Sequence, residues 1–155
     1  MDINALIEDV LGLLRNDIQG KNIVVRFTRG ETTLSVLGDP VQLRQVVLNL
    51  VLNAGEAIAL AAGGRREIRI DTSAPEAGRV AIAVRDTGVG VKESEVVERI
   101  FERFVSSKPQ GLGMGLSISR SIVEAHHGRI WATRNDDLGL TLHVELPVDH
   151  AGDRP

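Results

Sequence analysis

The sequence predicts an α+β two-layer sandwich, and three observations predict it. Apolar residues recur with helical period over residues 3–15, 40–61 and 115–127, with a shorter acidic-then-apolar segment at 93–104. β-rich runs lie between these segments, and most are joined by short turns, as in hairpins. The chain has 155 residues and no internal repeat, enough for one domain with a real core.

Composition narrows the function. The chain is 43% hydrophobic and 25% charged, ordinary for a globular protein, and its net charge of −3 argues against non-specific nucleic-acid binding. It has no cysteine, which removes disulfides, thiol nucleophiles and cysteine metal sites. No apolar run approaches the ~20 residues of a membrane span, and Met1-Asp2-Ile3-Asn4 carries no signal-peptide pattern.

In order, Ile3, Leu6, Ile7, Val10, Leu13 and Leu14 share one helical face. Ile23–Phe27 and Thr33–Leu37 read as strands, with Arg29-Gly30-Glu31 as the turn between them. Asp39 is a good N-cap and Pro40 suits the first helical position, so a helix is expected over 40–61. It is apolar on most sides, yet Gln42, Gln45, Asn49, Asn53 and Glu56 form one polar stripe. A buried amide costs about 1–3 kcal/mol unless it is satisfied. The two asparagines therefore either cap neighbouring protein groups or face a polar ligand, and their oxygens suit a hard cation such as Mg²⁺.

Arg66–Thr72 and Val80–Val84 read as a strand pair that runs into Arg85-Asp86-Thr87-Gly88-Val89-Gly90. That segment is either a plain turn or a place where a base or ribose comes close. Residues 91–112 have the make-up of a lid, with Phe101 and Phe104 as packing anchors. Gly111, Gly113 and Gly115 alternate just before an apolar-periodic helix, with Lys108 upstream and Gly128 as the expected left-handed stop. Glycines at a helix start let a polyphosphate approach unpaired N–H groups at the positive end of the dipole, although alone they could be only a flexible loop. Arg129–Thr133 and Thr141–Leu146 complete the strands, and 148–155 reads as a frayed tail.

Taken together, four segments resemble the boxes of the catalytic ATP-binding domain of bacterial two-component sensor histidine kinases. The N box is Gln42 to Ala54, the G1 box Asp86 to Gly90, the F box Ile100 to Lys108 and the G2 box Gly111 to Leu116. The resemblance covers residues 2–147 and places the chain in the superfamily of gyrase, the heat-shock-90 chaperones and the MutL proteins. The wording of the last half is similar to the rhizobial-type haem-PAS oxygen-sensor kinases. It implies a mixed β-sheet in the two-layer sandwich (the Bergerat fold), with ATP and Mg²⁺ as cofactors.

The resemblance also implies roles. Asp86 accepts a hydrogen bond from the adenine amino group, and Gly88 and Gly90 let the chain pass close to the base. Asn53 ligates Mg²⁺, and Asn49 lines the same cavity. Lys108 and the segment Gly111, Gly113, Gly115 and Leu116 hold the phosphates. Asn49, Asn53 and Lys108 are the expected catalytic residues. The implied partners are a dimerisation/phosphotransfer domain bearing the acceptor histidine and, through it, a response-regulator receiver domain. None of His126, His127, His143 and His150 has the acceptor context, so all four read as structural or exposed. A monomer is expected, in the cytoplasm or as the cytoplasmic part of a membrane-bound sensor. Three alternatives share the fold: an ATPase switch, an anti-sigma-factor-type serine kinase, and a degenerate binding module. The first two carry a basic glutamate where Asn49 stands, so Asn49 disfavours them.

Overall fold

The computed structural model describes residues 1–30, 35–61, 63–90, 101 and 113–148. Helices α1 (Ile3–Leu13), α2 (Arg15–Gly20), α3 (Pro40–Leu60) and α4 (Gly113–Ala125) accompany strands β1 (Val24–Thr28), β2 (Glu67–Ser73), β3 (Arg79–Asp86), β4 (Arg129–Arg134) and β5 (Leu140–Pro147). The strands form one sheet in the order β1-β2-β3-β5-β4. The β1–β2 pair is parallel and every other pair antiparallel. This is the expected mixed sheet in an α+β sandwich.

α3 is the centre of the helical layer. Asp39 caps it as predicted, its carboxylate accepting from the N–H groups of Val41 and Gln42, and Pro40 opens it. Leu43, Val46, Val47, Leu50, Val51, Ala54 and Ile58 are buried against the sheet and the other helices. At 21 residues α3 is long and apolar enough to cross a membrane by length and composition, which the sequence reading did not expect. Its buried apolar side belongs to the core and accounts for that composition.

The sheet covers this core with one face. Along β3, Val80, Ile82, Val84 and Asp86 point inward, and Arg79, Ala81, Ala83 and Arg85 point outward. Among the described residues the outer face carries no helix. There Arg129 lies 4.1 Å over the Trp131 ring, which stacks on His143 at 5.0 Å.

Three local expectations are corrected. The 3–15 helix breaks at Leu14, and a second helix, α2, follows it. Among the described residues β1 pairs with β2 and not with Ser35, Val36 or Leu37, the described part of the strand expected over Thr33–Leu37. The crossover through α3 brings β1 beside β2 in parallel, and Ser35 and Val36 make isolated bridges to Asp2 and Val148. Finally, α4 ends on His127, which takes the left-handed φ of 63°, and not on Gly128. The Gly128 N–H bonds the Val123 carbonyl and the His127 N–H bonds that of Glu124, a Schellman cap with histidine in glycine's usual place. Gly128 is needed for another reason: a Cβ there would lie 2.9 Å from Leu146 Cδ2 and closer still to the Glu145 carbonyl oxygen.

Candidate functional site

The polar stripe of α3 sits inside the protein, with Asn49 9% and Asn53 7% exposed. Such buried amides must be satisfied. Asn49 Oδ1 accepts from Gln45 Nε2 at 2.8 Å, and its Nδ2 donates to the Gly115 carbonyl at 3.1 Å and to Ser119 Oγ at 3.2 Å. Asn49 thus fastens the first turn of α4 to α3. Ser119, fully buried, went unnoticed in the sequence, where it reads as one more small residue of an amphipathic helix.

Two turns further along α3, Ala57 fastens the other glycine segment. Its carbonyl accepts from the Val89 N–H at 3.2 Å, and a Cβ on Gly88 would fall 2.6 Å from Ala57 Cβ. Gly88 is therefore required by helix packing in the first place. Gly90 has φ of 64°. Eight residues separate Asn49 from Ala57, a span of about 12 Å along the helix axis. One helix therefore sets the spacing between the Asp86–Gly90 segment and the start of α4.

Asp86 ends β3 on the inner face and is 1% exposed. Its Oδ1 accepts from the Gly88 N–H at 2.9 Å, a local turn of the kind aspartate favours. The turn between β4 and β5 buttresses it from the far side. Asn135 Nδ2 donates to the Asp86 carbonyl at 3.0 Å, and Asn135 Oδ1 accepts from the Thr141 hydroxyl. Gly139, at φ of 79°, packs directly on Asp86, where no side chain would fit. In the sequence residues 135–139 are only the link between two strand runs, and nothing local shows that its inner side touches Asp86.

Gly115 lies in the first turn of α4 next to Asn49, and Leu116 and Val123 anchor that helix in the core. The far end of α4 is clipped to α3: His126 Nδ1 donates to the Ile122 carbonyl, and His126 Nε2 accepts from the Asp39 N–H at 3.1 Å. His126 is structural, as expected. Phe101 is buried in the core, matching its reading as an anchor. Phe104, Lys108 and Gly111 lie outside the described residues, as does the rest of the expected lid, and Gly113 is described by its backbone as the first residue of α4.

Among the described residues no group of three or more histidines, aspartates or glutamates could hold a metal. A cation here would draw on the Asn53 carboxamide, on water and on the anionic ligand itself. That donor set fits Mg²⁺, which prefers oxygen and keeps several waters.

A buried carboxylate at a strand end, an asparagine-bearing helix and a glycine-led helix start, all held on one helical scaffold, define a nucleotide-binding α+β catalytic domain. The chain belongs to the histidine kinase-, DNA gyrase B-, and HSP90-like ATPase family, whose profile matches residues 38–150. Its relatives are sensor histidine kinases. It is 38% identical to the sensor protein FixL of Bradyrhizobium diazoefficiens over 94% of this chain and 28% of that protein. It is 36% identical to the sensor histidine kinase ZraS of Escherichia coli over 96% of this chain and 31% of that protein. The chain thus spans less than a third of the curated relatives it matches. Among solved structures, the catalytic domain of histidine kinase ThkA superposes with a TM-score of 0.82 at 35% identity, covering 96% of this chain and 93% of that one. ThkA has also been solved in complex with the response regulator protein TrrA.

Proposed function

We propose that this domain binds Mg-ATP and donates its γ-phosphoryl group to a histidine on a dimerisation/phosphotransfer domain. An imidazole nitrogen of that histidine forms the new P–N bond as the bond from phosphorus to the ADP oxygen breaks. The phosphoryl group then passes to an aspartate of a response regulator. The observation that carries this reading is the common anchoring of Asp86–Gly90 and Gly115 on α3, at a spacing suited to one nucleotide.

In this reading Asp86 selects adenine by accepting from its exocyclic amine. Gly88 and Gly90 keep the backbone clear of the base. Gly111, Gly113, Gly115 and Leu116 offer backbone N–H groups to the phosphates, and Lys108 adds a cation. Asn53 holds Mg²⁺, which when bound neutralises charge on the transferring phosphates. Asn49 lines the same cavity and fixes the start of α4. Catalysis is positioning and charge neutralisation, with the acceptor histidine supplied in trans. The domain works as a monomer in the cytoplasm.

The ATPase-switch and serine-kinase readings need a proton acceptor one turn before Asn53. Asn49 cannot take a proton, and its carbonyl oxygen already accepts from Gln45. The test is transfer in trans: the chain is mixed with a histidine-bearing dimerisation domain and radiolabelled ATP. Label that is acid-labile and alkali-stable on that domain is the expected result. Steady phosphate release with no labelled histidine would favour the ATPase switch, and ATP binding with neither product would favour a degenerate module.

A further inference from the structure

The outer face of the sheet carries a second concentration of charge that the nucleotide site does not use. Arg26 on β1 stands opposite Arg69 on β2, and Arg69 stands opposite Arg85 on β3. Like charges directly opposite on neighbouring strands cost stability. Two carboxylates sit among these arginines and are shared. Glu67 lies 3.5 Å from both Arg26 and Arg69, and Asp137 lies 2.8 Å from Arg85 and 3.6 Å from Arg65. Four guanidinium groups thus share two carboxylates on a chain whose net charge is −3.

These side chains enclose a space. Arg65, Glu67, Arg69, Arg85, Thr87 and Asp137 line an open cleft of about 270 Å³. Its floor is fixed: the Thr87 hydroxyl donates to the Arg65 carbonyl at 2.5 Å and accepts from the Glu67 N–H at 3.0 Å. Its cations are not locked in place, since the three lining arginine side chains are 39–58% exposed. Asp137 remains ionised beside them, held below the ordinary carboxylate range by the Leu138 N–H first and by Arg85 as well. Arg85 and Thr87 flank Asp86 in sequence but lie on the opposite side of β3, so cleft and nucleotide pocket are back to back.

We propose that this cleft is a second anion site, binding a small phosphate-bearing ligand through Arg69 and Arg85 with Arg65 alongside. Guanidinium groups bind phosphate oxygens in pairs, and the three lining guanidinium groups outnumber Glu67 and Asp137, which leaves the cleft cationic and suited to an anion. The space suits one phosphate or diphosphate group more than an extended polymer. The site is independent of the ATP reading.

The test is a titration of the isotope-labelled chain, followed at the arginine Nε–H resonances. The probes are inorganic phosphate and pyrophosphate, with ionic strength held constant by sodium chloride. Saturable shifts at Arg69 and Arg85 are expected, with a midpoint of about 1 mM and tighter for pyrophosphate, while Arg15, Arg120 and Arg134 stay flat. The shifts should persist in Asn53→Ala and weaken at least ~10-fold in Arg69→Gln/Arg85→Gln. A preference for phosphate over pyrophosphate would restrict the ligand to a single phosphate group. Unsaturable shifts shared by all exposed arginines, or no shift at Arg69 and Arg85 in the wild type, would overturn the proposal. Those last readouts need no variant to fold.

Discussion

Replacing Gly139 with alanine tests whether the β4–β5 turn holds Asp86 in place. Two costs are separable. A Cβ at φ of 79° adopts the left-handed region at about 1–2 kcal/mol. The same Cβ would lie 2.8 Å from the Asp86 carbonyl carbon and nearer still to the Asp86 carbonyl oxygen and Oδ1. Ordinary contact begins at 3.4 Å, so the turn and Asp86 must separate by more than the 0.6 Å that the carbonyl carbon alone requires. Backbone cannot rotate out of the way, so overpacking adds about 1–3 kcal/mol. Gly64 supplies the control: its φ is 88°, but nothing lies within 4 Å of an added Cβ. Urea unfolding should show Gly139→Ala losing about 2–5 kcal/mol and Gly64→Ala about 1–2 kcal/mol. Calorimetric titration should show ATP affinity falling at least ~10-fold in Gly139→Ala alone, because only that variant moves Asp86. If Gly139→Ala loses no more stability than Gly64→Ala and binds ATP as the wild type does, the turn does not position Asp86.

Other sites give independent tests. His127→Gly should raise stability by about 1 kcal/mol, seen as a higher Tm, since glycine takes the left-handed cap without the Cβ penalty. Ser119→Ala should cost about 1 kcal/mol by removing one acceptor from Asn49, and a cycle with Asn49→Ala should show the two effects to be less than additive. Burial beneath Trp131 lowers the His143 pKa below its ordinary value of about 6.5, with Glu145 opposing the shift. The unfolded chain therefore takes up the proton first as pH falls, so this contribution is present above about pH 6.5 and is lost as pH falls from there through the lower folded value. Urea midpoints at pH 7.5 and 5.5 should differ more for the wild type than for His143→Gln.

The parts of this fold that depend on local pattern were legible in the sequence. Asp39-Pro40 announced the start of α3, the alternation in 67–72 and 80–84 announced a hairpin, and the amide stripe pointed to the candidate site. What was not legible depends on chain crossings. Thr33–Leu37 is as β-rich as its neighbours, but α3 delivers β1 to β2 and leaves Ser35 and Val36 only single bridges. Gly128 was the natural stop for α4 until the Glu145 and Leu146 neighbourhood, remote in sequence, claimed it and left His127 the strained position. Gly139 and Ser119 were invisible for the same reason. Each is an ordinary residue in its own element, and its importance lies in Asp86 or Asn49, more than fifty positions away.

The most direct test of nucleotide binding is calorimetric titration of the chain with ATP, with and without Mg²⁺, alongside Asp86→Asn and Asn53→Ala. The account predicts one saturable site, an affinity loss of at least ~10-fold in Asp86→Asn, and no gain from Mg²⁺ in Asn53→Ala. Equal binding by wild type and Asp86→Asn, or no nucleotide binding by the wild type, would contradict it.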